Sequence, residues 1–75
     1  MNKARRKKTE ECLNRVEAIK GEIESILYDE QWAFDSMPEG LQASMRGMES
    51  EEAIGHLEDA VNSLDDAIAA LQEIS

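Results

Sequence analysis

Five cations, Lys3, Arg5, Arg6, Lys7 and Lys8, stand within the first eight residues, and all three aromatics fall between residues 28 and 34. These two groups offer the most chemistry in the chain. Arg5, Arg6, Lys7 and Lys8 are suited to holding phosphates through charge-assisted hydrogen bonds. Tyr28 and Trp32, one helical turn apart, present stacking faces, and Arg46 adds a guanidinium suited to a nucleobase or an aromatic anchor. Together these seven residues form a candidate binding set for a small nucleotide-like or anionic ligand. Each half also has a structural reading. Tyr28, Trp32 and Phe34 can plug the end of the fold with Met37 and Leu41, and the basic start can be a frayed, solvated helix end.

Other reactive residues do not form a catalytic group. The acid pairs Glu51/Glu52, Glu58/Asp59 and Asp65/Asp66 recur every seven residues, about 10 Å apart along a helix. That makes a striped acidic face, whereas catalytic carboxylates must converge on one bond. His56 is the only histidine and follows Glu52 by four residues; Ala53 stands where a Glu-x-x-His metal motif needs its acid. Cys12, the only cysteine, lies on an apolar stripe with no base to activate it and reads as a buried core thiol. No phosphate loop or triad is visible. The chain is read as a non-enzyme, with no cofactor and no metal site.

The charge is unevenly distributed. Net charge is −9, yet the body beyond residue 8 holds only Arg15, Lys20 and Arg46 against seventeen acids. Such a body repels DNA and anionic membranes, while the basic end attracts phosphates. One cysteine excludes an internal disulfide, and no segment approaches the roughly 20 apolar residues of a membrane span. Thr9-Glu10-Glu11 follows the basic start where a signal peptide needs an apolar run. The expected location is cytoplasmic.

The elements that must position these residues are helices. Cys12, Leu13, Val16, Ile19, Ile23, Ile26 and Leu27 recur at three- and four-residue steps, with Arg15, Glu17, Lys20, Glu22 and Glu24 on the remaining surface. This predicts a helix over about residues 2–34. Residues 35–49 form the connection, in which Ser36-Met37-Pro38-Glu39 begins a short helical turn before Gly40, Ser44 and Gly47 break it. Leu41, Met45 and Met48 are expected to tuck over the hairpin end. Ser50 is the expected N-cap of a second helix over about 51–74. Its three heptads repeat acid, acid, Ala, branched aliphatic, two variable residues, Leu. Ile54, Leu57, Val61, Leu64, Ile68 and Leu71 form a seam, and Ala53, Ala60 and Ala67 widen it.

These nine residues are the candidate oligomer interface, because one partner helix does not cover so broad a face. The expected fold is all-α: one domain over residues 1–75, a long antiparallel helical hairpin with a short helical turn in its connection, assembling as a multi-helix bundle. The cations at the start of the first helix oppose its dipole. Acids of a second subunit, Glu73 with the chain's terminal carboxylate, or a bound anion would compensate them.

The opening Met1-Asn2-Lys3-Ala4-Arg5-Arg6-Lys7, the central Glu30-Gln31-x-Ala33-Phe34-Asp35-x-Met37-Pro38-Glu39-x-Leu41-Gln42 and the acidic heptads resemble small acidic helical-hairpin proteins of bacteriophages and prophages. The resemblance implies a phage or prophage setting in a bacterial host cytoplasm, and analogy with other small phage proteins suggests counter-defence by stoichiometric binding. Three functional expectations follow. The first is a homo-oligomer that sequesters a nucleotide-like ligand. The second is an acidic nucleic-acid mimic that blocks a basic groove on a host defence protein. The third is a structural accessory of a phage assembly.

Overall fold

The computed structural model describes residues 1–74 and contains helices only among them: α1 (Lys3–Asp35), α2 (Glu39–Gln42) and α3 (Met45–Gln72). The chain's terminal carboxylate lies outside the described residues. α1 starts where Asn2 accepts the backbone N–H of Arg5 at 2.9 Å, a side-chain N-cap that orders the basic segment into helix. It ends before Pro38, which cannot donate into a continuing helix. Pro38 instead opens α2, accepting the N–H groups of Leu41 and Gln42 at 2.9 and 3.0 Å.

α3 begins six residues before the expected start. Ser44 is its N-cap residue, with extended backbone, and Ser50 sits inside the helix rather than at its start. Gly47 explains the difference. A Cβ at Gly47 would overlap the Gln42 carbonyl group, with the carbonyl carbon only 2.5 Å away, so only glycine lets α3 pass so close to α2. A residue expected to break the helix is therefore what brings the turn and α3 together. The Gln42 side chain then donates to the Phe34 carbonyl at 2.9 Å, tying the turn back to α1.

α1 and α3 pack antiparallel as a rod measuring 58 × 14 × 13 Å. Residues of α1 with reduced exposure run Thr9, Leu13, Val16, Lys20, Ile23, Leu27, Glu30 and Phe34, in alternating steps of four and three. Their counterparts in α3 run Gly47, Ser50, Ile54, Leu57, Val61, Leu64, Ile68 and Leu71, with Ala53 and Ala60 half-buried beside them. Two strict seams therefore face each other.

The core they enclose is slight. Leu13 and Ile54 are its only buried apolar residues, and no side chain is fully buried among the described residues. A compact chain of 75 residues has a radius of gyration of about 11 Å, whereas this rod has 17.1 Å. Its accessible surface is 5659 Å², against about 4,600 Å² for a compact monomer of 8.4 kDa.

Candidate functional site

The antiparallel register divides the rod into two unlike flanks. Equal heptad positions of two antiparallel helices meet on the same side. The residues just after Val16, Ile23 and Glu30 in α1 are Glu17, Glu24 and Gln31. Those just after Ser50, Leu57 and Leu64 in α3 are Glu51, Glu58 and Asp65. Five acids and Gln31 thus form an acidic flank, and an open groove of about 350 Å³ lies on it, lined by Glu24, Leu27, Tyr28, Gln31 and Glu58.

The residues just before the seam pairs line the opposite flank. In α1 they are Cys12, Ile19 and Ile26; in α3 they are Ala53, Ala60 and Ala67. Ile19 and Ile26 are 47% and 55% exposed, and Cys12 and Ala67 are also exposed. The expected broad stripe on α1 is thus split: Leu13, Val16, Ile23 and Leu27 face α3, while Cys12, Ile19 and Ile26 face outward. Cys12 is not the core thiol expected of it; it is free and exposed, and Arg15 donates to its sulfur at 3.4 Å. Ile54, Leu57, Val61, Leu64, Ile68 and Leu71 lie in the intrachain seam. Of the nine candidate interface residues, the three alanines lie on the flank.

Two polar residues expected to serve other purposes occupy the seam. Lys20, expected on the solvent surface, is turned toward α3 and pairs with Asp65, its side chain 26% exposed. Its hydrogen bond to the Asp65 carboxylate raises its pKa above the ordinary lysine value, with nearby Glu24 and Glu17 adding to the rise. Ser50, expected as a cap, donates its hydroxyl to Glu30 at 2.7 Å and so satisfies a half-buried carboxylate. Carrying the four-and-three steps of Leu13, Val16, Ile23 and Leu27 through position 20, and those of Ile54 to Leu71 back to position 50, reaches both residues, so register rather than polarity is the signal that marks them.

The candidate ligand-binding residues lie at opposite ends of one hairpin. The Glu30–Ser50 and Lys20–Asp65 pairs set a register in which α3 ends near the level of residues 8 to 13. Lys3, Arg5, Arg6, Lys7 and Lys8 therefore extend past α3 as an exposed helical overhang of about 12 Å. Lys8 and Tyr28 are about 30 Å apart along α1. Arg46 lies exposed in the first turn of α3.

The turn end is plugged by Phe34, Met37 and Leu41, all half-buried. Tyr28 and Trp32, 72% and 66% exposed, stand outside that plug. Met45 and Met48, expected to tuck over the end, are likewise exposed. His56 approaches Glu52 at 4.0 Å with both side chains in solvent. Among the described residues no group of histidine, cysteine and acidic side chains is arranged to hold a metal, and no helix is long and apolar enough to cross a membrane.

No family model, curated protein or solved structure matches this chain. The arrangement of its own residues therefore carries the functional reading.

Proposed function

We propose that this protein is a non-enzymatic, homo-oligomeric binding module that works by holding its partner stoichiometrically, in the manner of a phage counter-defence factor. One observation carries the proposal. The hairpin buries almost no core of its own while exposing Cys12, Ile19, Ile26 and Ala67 along one flank, so its chemistry is contact chemistry, first with further copies of itself.

The partner that best suits the free charges is a nucleotide-like anion. Arg5, Arg6, Lys7 and Lys8 would hold its phosphates on the overhang, and Trp32 or Tyr28 would stack on its base. The groove beside Tyr28 is lined by Glu24 and Glu58, so an anion is repelled there within a single chain. This reading accordingly requires the basic end of one copy to meet the aromatic end of another. Arg46 is too far from the overhang to join it within one chain.

The acidic flank, with Glu17, Glu24, Glu51 and Glu58 in no ion pair among the described residues, favours a second reading, a nucleic-acid mimic occupying the basic groove of a host protein. Native mass spectrometry of protein purified gently at low salt separates the two. Sequestration predicts an oligomer carrying a small extra mass that is lost in Trp32→Ala and in Arg5→Ala/Arg6→Ala. A bare oligomer that binds no nucleotide but captures a basic host protein, released by salt and by duplex DNA, contradicts sequestration and supports mimicry.

A further inference from the structure

We infer that two hairpins pack antiparallel through the Cys12/Ile19/Ile26 and Ala53/Ala60/Ala67 flank, about a two-fold axis at the level of Ile19. The inference rests on the self-assembly proposed above and specifies its face and orientation. The flank is the side of the rod suited to accept a copy, because the opposite one carries Glu17, Glu24, Glu51, Glu58 and Asp65.

Its size fits. A face 58 Å long and 14 Å wide offers a footprint of about 800 Å², the amount each partner contributes to a standard stable interface. The surface in excess of a compact monomer, about 1,000 Å², is of the same order.

Charge fixes the orientation. Beside the apolar column of α1 runs a second exposed column at seven-residue spacing: Lys8, Arg15, Glu22 and Asp29. It reads two cations, then two acids, and none of the four has an ion-pair partner among the described residues. A two-fold axis at Ile19 pairs residue 19 with itself and Cys12 with Ile26 of the other copy. The same operation sets Arg15 against Glu22 and Lys8 against Asp29, so the column is complementary to its own reverse.

The Glu30–Ser50 and Lys20–Asp65 pairs set Ile19 on α1 level with residues 61 to 66 of α3, between Ala60 and Ala67, so the alanine column runs past the axis on the same flank. Alignment in the same direction instead places two overhangs, each with five cations, side by side. The antiparallel arrangement sets each overhang beside a turn end, residues 29–52, with seven acids and only Arg46 in opposition. It also brings the basic residues of one copy to the level of Trp32 in the other.

Cross-linking tests the geometry. Ile26→Cys, which retains Cys12, is treated with a short bismaleimide and the linked peptides are mapped. The expected product joins Cys12 of one copy to the thiol introduced at position 26 of the other. A charge exchange supplies the second readout. Arg15→Glu sets acid against Glu22 twice per dimer and weakens self-association by roughly tenfold or more, and adding Glu22→Arg restores it.

An oligomer linked Cys12 to Cys12, or one giving no link between Cys12 and position 26, overturns the arrangement and leaves self-assembly standing. Failure of the double exchange to rescue also overturns it. A folded monomer at every concentration removes the functional proposal as well.

Discussion

At the residue scale, the glycines show how position decides the effect of a side chain. Gly47 has the Gln42 backbone where its Cβ would be, whereas Gly21 and Gly55 have open space there. Gly47→Ala is expected to destabilise the fold by roughly 1–3 kcal/mol through overpacking. Gly21→Ala and Gly55→Ala are expected to stabilise it by about 0.5–1 kcal/mol, because alanine loses less backbone freedom in a helix. Urea denaturation of the three variants checks both signs, and a neutral Gly47→Ala contradicts the close crossing.

Ser50→Ala leaves the Glu30 carboxylate without its hydroxyl donor and should cost roughly 1–2 kcal/mol in the same assay. Lys20 gives a pH signature. Its folded pKa lies above the ordinary value, so its contribution is complete below the lysine range and is lost as pH rises through the folded pKa. The stability difference between the wild type and Lys20→Met should therefore stay level through neutral and mildly alkaline pH, then change only in strongly alkaline solution. A change near neutrality contradicts the assignment. These roles were not legible in the sequence. Gly47 reads as a breaker, and Ser50 reads as a cap, because residue type alone does not tell which backbone passes nearby.

At the element scale, the sequence was most informative where its period was longest. The three acid-acid-Ala heptads place Ile54 to Leu71 on one face of α3, and that face meets α1 in the structure. The start of α3 was less legible, since Ser44 and Ser50 are both residues of the capping type. Ser44 does not cap with its side chain; its hydroxyl goes to the Leu41 carbonyl instead. On α1, apolar periodicity showed a broad stripe but not its division, because Lys20 and Glu30 occupy seam positions that an apolar template assigns to solvent. Once the register is known, Cys12, Ile19 and Ile26 separate from the seam.

Asn2→Ala belongs to this scale. Loss of the cap should cost about 1 kcal/mol and fray the overhang that carries Arg5 to Lys8. Faster amide exchange confined to the first two turns is the expected result. Unchanged exchange there would show that the overhang is ordered by something other than its cap.

At the scale of the whole molecule, surface outweighs core. A thin rod with two buried apolar residues exposes more surface than a compact chain of its mass, and one of its flanks is apolar. The sequence conveyed this through the width of the apolar face, which exceeds what one helix covers. Sequence periodicity does not say which copy of which helix covers the remainder; that follows from the register and the charge columns.

Sedimentation equilibrium of the wild type and Ile19→Asp, across a wide concentration range, decides whether the exposed flank drives self-assembly. The expected wild-type mass is twice 8.4 kDa or a higher multiple, with Ile19→Asp shifted to monomer and partly unfolded. A wild-type chain that stays folded at 8.4 kDa at every concentration would contradict self-assembly.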